Sequence, residues 1–176
     1  MLTSDLCDRI ERVREIIARA EQRYGRPAGS VTLLAASKTQ SIERLLSAMH
    51  CGQRLFGENY VQEAEPKIAA LPELDWHYIG PLQANKTRRV AQLFKWVHSI
   101  DRHKTALRLD AQRMEIDIPL EVCLQVNISG ESGKAGASLG DLSRLAERVI
   151  DFKHLKLRGL MAIPAPTPDP NQQRRS

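Results

Sequence analysis

The feature that most constrains the fold is the regular alternation of short apolar strands with amphipathic helical segments along the chain. Helical periodicity covers residues 4–23, and strand-like and helix-like segments then follow one another to residue 160. Six strands are predicted, at residues 31–38, 54–57, 74–79, 96–100, 118–128 and 155–160. This repetition predicts parallel strands joined by crossover helices, and hence an α/β protein.

Capping residues mark the starts of several helices. Ser41 and Ser138 each precede an apolar helical segment and are predicted N-caps. Asn59 and Gln62 have capping-box spacing at the start of a helix that is predicted to run to residue 71. Asp169 followed by a proline is a further helix-start signal, close to the end of the chain.

Two architectures fit this pattern, a doubly wound sheet and a TIM (β/α)8-type barrel. No GxGxxG motif follows the first predicted strand, which disfavours a dinucleotide-binding sheet and favours the barrel. A barrel has eight strands, whereas about six are predicted here. Because the helix signalled at Asp169 has only its first turn before the chain ends, we expect the C-terminal strands to be missing. A proline-rich tail on a complete domain is the alternative.

The composition is that of an ordinary soluble globular protein, with 42% hydrophobic and 27% charged residues. No apolar stretch approaches the roughly 20 residues of a membrane-spanning helix, and the charged N-terminus lacks a signal-peptide core, so we expect a cytoplasmic protein. The net charge of +5 leaves small anionic ligands open, but basic residues are not interleaved with aromatic ones. We therefore expect neither a nucleic-acid partner nor a membrane partner.

The three cysteines, Cys7, Cys51 and Cys123, contain no CxxC pair and are odd in number. In a cytoplasmic protein this pattern predicts buried free thiols rather than a disulfide. No group of His, Cys, Asp or Glu has metal-ligand spacing, and no pair of carboxylates stands out as an acid/base couple. The residues alone therefore predict no bound metal and no acid/base couple of carboxylates.

Lys38 ends the first predicted strand, at the edge where barrel proteins place their active sites. If its ammonium group points into the barrel mouth, partial desolvation would favour the neutral amine, which forms Schiff bases with aldehydes. The plain alternative is a solvated lysine that ends a strand. Asn59 could equally be a helix cap, and His77 a hydrogen-bonded core residue. The other side chains predicted near this edge are Asn59, His77, Asn127 and Met161, with Lys134 in the loop after the fifth strand.

Six ordered motifs carry a family resemblance: LLAASKTQ, FGENYVQEAEPK, WHYIGPLQANK, SIDR, VNISGESGKAG and LRGLMAIP. In this order they closely resemble the pyridoxal phosphate homeostasis proteins, small barrel proteins similar to the N-terminal domain of alanine racemase. The resemblance extends from the first helix to about residue 170. It implies that residues 1–176 form a single barrel domain that binds pyridoxal 5'-phosphate (PLP).

The resemblance also implies the site and its use. Lys38, in SKT, would hold PLP as a Schiff base, and Asn59, in GEN, would lie near the ring. His77 and Met161 would help to line the pocket, and Lys134 would be a second contact for PLP or a regulatory site. The family implies a carrier of PLP without robust catalysis, because racemase-like turnover uses a second acid/base residue from an additional domain. A racemase-like enzyme and an inactive truncated fragment are the alternatives.

The chain departs from the family in its C-terminal segment, where SMGMS-like and RIG-like motifs are absent. In TIM barrels the loops after strands 7 and 8 commonly build the phosphate site. We therefore expect PLP to be held less tightly than in the family, since charge-assisted hydrogen bonds to its phosphate would be lost. Open sheet edges are expected to promote aggregation or pairing, and the oligomeric state stays open.

Overall fold

The computed structural model of the protein describes residues 2–131 and 133–175. Within these residues, strands and helices alternate in the order α1 (Leu2–Arg23), β1 (Ala35–Ala36), α2 (Ile42–His50), β2 (Leu55–Glu58), α3 (Val61–Ala70), β3 (Asp75–Tyr78), α4 (Thr87–Leu93), β4 (Trp96–Ile100), α5 (His103–Arg113), β5 (Leu120–Val126), α6 (Leu139–Ile150), β6 (Leu155–Ala162) and α7 (Pro170–Arg175). The predicted alternation is therefore confirmed. No helix in the described part of the chain has the length and apolar character that crossing a membrane requires.

The strands form one parallel sheet in the order β1-β2-β3-β4-β5-β6. A doubly wound sheet reverses its strand order at a switch point, whereas the wall of a barrel runs in sequence order. The sequential order therefore confirms a barrel-type α/β arrangement. Successive residues of a strand point to opposite faces. On the face that packs against the helices, Trp76, Val97 and Val122 belong to one buried apolar cluster with helix residues such as Val90 and Leu109.

Strand β1 is shorter than the predicted strand at residues 31–38, because only Ala35 and Ala36 pair with β2. The preceding loop is held by side chains instead of by a strand ladder. The Glu21 carboxylate accepts hydrogen bonds from the backbone N–H groups of Gly29 at 2.9 Å and Val31 at 2.6 Å. These bonds, led by the one from Gly29, lower the pKa of Glu21. Side-chain anchoring of the backbone therefore replaces part of the expected strand.

The predicted capping residues precede α2, α6 and α7, whereas the one predicted for α3 is not confirmed. The Ser41 and Ser138 side chains accept hydrogen bonds from the backbone N–H groups three residues later, as N-caps do. The prediction that Asn59 caps α3 is wrong, because the N-cap position is Tyr60 and makes no side-chain cap bond. The extended conformation of Tyr60 moves the first turn of α3 one residue beyond the predicted start.

A disulfide joins Cys7 of α1 to Cys51, the C-cap residue of α2, with Cα atoms 5.0 Å apart. The prediction of free thiols is wrong for this pair, because folding brings together cysteines that lie 44 residues apart. Arg14 reinforces the same junction by donating to the Cys51 carbonyl oxygen at 3.0 Å. Cys123 is free and buried as predicted, and burial raises the pKa of its thiol.

We expect reduction of the Cys7–Cys51 disulfide to lower the melting temperature, because the bond restricts the unfolded chain. Its contribution should be about 2–4 kcal/mol, which corresponds to roughly 4–16 °C for a chain of this size. Scanning fluorimetry with and without dithiothreitol measures the shift. The control is the double variant Cys7→Ser/Cys51→Ser, which should melt at the same temperature in both buffers. An unchanged wild-type midpoint after verified reduction would contradict the expectation.

Candidate functional site

Lys38 lies on a tight turn at the C-terminal edge of the sheet, between β1 and α2. The Gln40 backbone N–H closes this turn by donating to the Ser37 carbonyl oxygen at 3.0 Å. Lys38 and Thr39 are the central residues, and Thr39 has a φ of +63°. A left-handed backbone is rare for a β-branched residue and costs about 1–2 kcal/mol, so the surroundings must hold it in place.

The Lys38 side chain is exposed. The partial desolvation that the sequence suggested is therefore not found. Its ammonium group makes no hydrogen bond or ion pair with any residue in the described ranges, 2–131 and 133–175. The amine is consequently accessible to a ligand that approaches this edge of the sheet.

A buried ion pair lies beside the turn. Glu58, the last residue of β2, is fully buried, and its Oε1 accepts hydrogen bonds from Lys67 Nζ at 2.7 Å and from Ser37 Oγ at 2.6 Å. Lys67 Nζ also donates to the Ser37 carbonyl oxygen at 2.9 Å. The backbone N–H of Ser37 donates to the Gly57 carbonyl oxygen at 2.9 Å. The residue before Lys38 is thus fixed by groups from both β2 and α3.

The residue after Lys38 is also held by α3. The backbone N–H of Thr39 donates to Glu63 Oε2 at 3.0 Å. Glu63 and Lys67 are four residues apart on α3, so they lie one helical turn from each other. One helix therefore contacts the backbone on both sides of Lys38.

Asn59 is half-buried and follows β2 directly. Its backbone lies against Gly80, after β3, where an added Cβ would stand only 2.2 Å from the Asn59 carbonyl oxygen. Glycine alone permits this close approach. Ser99 at the end of β4 donates its hydroxyl to the Gly80 carbonyl oxygen at 2.5 Å. These contacts join the C-terminal ends of β2, β3 and β4 and hold Asn59 at the edge of the sheet where Lys38 lies.

His77 is buried within β3, where it pairs in register with Gly57 rather than with Asn59. Its Nδ1 lies 2.9 Å from His98 Nε2, and its ring stacks on Trp96 with centroids 5.3 Å apart. Burial, followed by the charge of His98, lowers the pKa of His77 to about 4. His77 is therefore neutral and lies in an aromatic cluster on one face of the sheet, one residue before the end of β3.

The remaining residues singled out from the sequence lie around β5 and β6. Met161 is half-buried in β6 and pairs in register with Gln125. Asn127 follows β5 and donates its Nδ2 to the Glu131 carbonyl oxygen at 2.9 Å, while its buried Oδ1 has no partner among the described residues. Lys134 is exposed and forms an ion pair with Glu131 at 2.6 Å. Lys134 is thus engaged within its own loop.

Glu58, Glu63 and Lys67 support the site but are absent from the sequence predictions. Nothing in the sequence distinguishes the two glutamates from ordinary polar residues at a strand end and on a helix. A usable signal exists only for Lys67, which falls on the buried face of α3 with Val61 and Ala64. A lysine at such a position requires a partner, because an unpaired buried charge is strongly unfavourable.

Comparisons with known proteins show which proteins this chain is similar to. Residues 10–175 match the family described as alanine racemase, N-terminal domain. The chain is 51% identical over 166 residues to the pyridoxal phosphate homeostasis protein of Vibrio cholerae, across 91% of this chain and 70% of that protein. An unknown protein from Bifidobacterium adolescentis superposes with a TM-score of 0.88 at 33% identity, across 98% of this chain and 75% of the other. PipY of Synechococcus elongatus, solved with PLP bound, gives a TM-score of 0.80 at 34% identity, across 97% and 75%.

We expect His77 to make the protein less stable as the pH falls from about 6.5 to about 4. In this window the unfolded chain protonates His77 while the folded state keeps it neutral, so stability rises with pH. The full effect should be on the order of 3 kcal/mol. Urea unfolding at several pH values measures it, and His77→Gln should reduce the slope, leaving the part that belongs to His98, whose pKa burial also lowers. The control His50→Gln, at an exposed position outside the aromatic cluster, should keep the wild-type slope. Equal slopes for His77→Gln and the wild type would refute the assignment.

Proposed function

We propose, from the premise that this chain belongs to the alanine racemase N-terminal domain family and to its pyridoxal phosphate homeostasis proteins, that it binds PLP through Lys38. In this proposal the protein keeps the cofactor available without robust catalysis. The observation that carries the proposal is an accessible lysine on a firmly held turn at the C-terminal edge of a barrel-type sheet. The relative PipY, solved with PLP bound, supports the choice of cofactor.

The described residues at this edge suit a small anionic aldehyde. Lys38 supplies an amine whose Nζ can form a carbon–nitrogen double bond with the PLP aldehyde carbon while the aldehyde oxygen leaves as water. Asn59 offers a half-buried amide for a polar group of the ligand. Met161 would add apolar surface, and the net charge of +5 favours an anion.

A carrier is supported over a racemase-like enzyme by the state of the acid and base groups described near Lys38. Glu58 and Lys67 are paired with each other, and Glu63 accepts the Thr39 N–H. His77 is buried and neutral at pH 7. Racemase-like turnover needs a second acid or base that is free to move a proton at the substrate. We therefore propose that the protein loads and releases PLP with little turnover.

A cytoplasmic setting is part of the proposal. Disulfides are rare in that compartment, so Cys7 and Cys51 would be expected there as thiols. The comparison of oxidised and reduced protein described above therefore also measures the stability that the fold would have in that setting.

We expect a PLP titration, followed by absorbance and trapped with borohydride, to give one saturable adduct that peptide mass mapping locates on Lys38. The variant Lys38→Ala should lose this adduct, because no other lysine occupies the turn. The control Lys153→Ala, an exposed lysine between α6 and β6, should retain it.

Three outcomes separate the proposed function from its alternatives. An adduct spread over many lysines, or no adduct, would overturn PLP binding at Lys38 and favour an inactive fragment. Turnover of an amino acid that disappears in Lys38→Ala would favour the racemase-like enzyme. A single adduct on Lys38 without measurable turnover is the result expected of a carrier.

A further inference from the structure

We infer that Glu63 is a positioning residue for Lys38, because it fixes the neighbouring Thr39 in the left-handed conformation that shapes the turn. The inference rests on the proposed function, since it assigns Glu63 a part in the reaction of Lys38 with PLP. Glu63 itself does not need to touch the cofactor. It acts through the backbone of Thr39, which its carboxylate contacts at 3.0 Å.

The conformation of Thr39 is the first step of the inference. With a φ of +63°, Thr39 occupies a region that a β-branched residue avoids, at a cost of about 1–2 kcal/mol. Strained backbone persists only where surrounding contacts hold it. Here the hydrogen bond from the Thr39 N–H to Glu63 Oε2 is a contact that holds the strained residue directly.

The placement of Glu63 is the second step. Lys67, one helical turn further along α3, is buried and bonded both to Glu58 and to the Ser37 carbonyl oxygen. Because this buried pair fixes α3 against the end of β2, the backbone of Glu63 is fixed within reach of the turn. The helix therefore holds the backbone before Lys38 through Lys67 and the backbone after Lys38 through Glu63.

The consequence for Lys38 follows from this double attachment. Without the Glu63 carboxylate, Thr39 can relax to an ordinary negative φ, which turns the chain differently just after Lys38. The Lys38 side chain is exposed and makes no hydrogen bond or ion pair with a described residue. Its approach to a ligand therefore depends on the turn, and on Glu63 through the turn.

The test compares four variants with the wild type by two independent measurements. They are Glu63→Ala, Thr39→Gly, the double variant Glu63→Ala/Thr39→Gly, and the matched control Glu65→Ala. Glu65 lies on the same helix but forms an ion pair with Arg89 at 2.7 Å, away from the turn. The first measurement is the rate of PLP adduct formation at Lys38, and the second is the exchange rate of the Thr39 amide by NMR without PLP.

We expect Glu63→Ala to slow adduct formation at Lys38 by about 5- to 30-fold, the factor that corresponds to the strain at Thr39. Exchange of the Thr39 amide should accelerate in the same variant. Because glycine adopts the left-handed conformation without this strain, the double variant should recover the wild-type adduct rate to within about twofold. Glu65→Ala should leave both measurements unchanged. A merely structural role for Glu63 would not predict recovery by a second substitution.

The outcomes separate this inference from the proposed function. A wild type without an adduct at Lys38 overturns the proposed function, and the exchange measurement then still decides whether Glu63 holds Thr39 in its conformation. Unchanged amide exchange in Glu63→Ala, an unchanged adduct rate in a loading wild type, or no recovery in the double variant would each overturn the positioning role. Equal slowing by Glu65→Ala would also overturn it, because the effect would then come from the helix as a whole.

Discussion

The buried ion pair between Glu58 and Lys67 is the interaction on which the arrangement of this site depends. Removing two charges from water costs several kcal/mol per ion, and the attraction between them compensates only when the geometry is good and the remaining polar groups are bonded. Ser37 meets part of that requirement with a hydroxyl donor to Glu58 Oε1 and a carbonyl acceptor to Lys67, while the buried Glu58 Oε2 has no partner among the described residues. Any shift of β1 would break these bonds. The pair therefore fixes a strand of which only two residues belong to the sheet ladder.

Ser37 and Lys38 are adjacent in the chain but differ in solvent exposure, and the site depends on this difference. Ser37 is buried on the side of α3, whereas Lys38 is exposed on the turn that follows. A residue that is firmly held and a residue whose amine is accessible are therefore direct neighbours in the chain. The same division appears along the strand ends, where Gly80 packs against the Asn59 backbone and leaves the Asn59 side chain half-buried at the edge. The sheet edge is thus held by backbone contacts while its side chains remain available.

Features that depend on local sequence were predicted well, and features that depend on distant contacts were not. Periodicity and capping residues identify the alternation of strands and helices, because a 2.0 or 3.6 repeat is visible within a dozen residues. The short β1, the Cys7–Cys51 disulfide and the bonds of Glu58 join segments that are far apart in the chain. Lys38 and Asn59 are found at the predicted edge, but the burial of His77 and the exposure of Lys38 depend on packing that no linear pattern specifies.

The exposure of Lys38 bears directly on the proposed function. A desolvated lysine gains reactivity from its surroundings, whereas an exposed one shares the chemistry of other surface lysines. Selectivity at an exposed amine must therefore come from geometry, and the turn supplies that geometry through Ser37 and Thr39, each bonded to a side chain of α3. An amine open to water also allows a bound aldehyde to leave by the reverse reaction. A site that combines fixed geometry with open access suits a carrier, which must release its ligand as well as take it up.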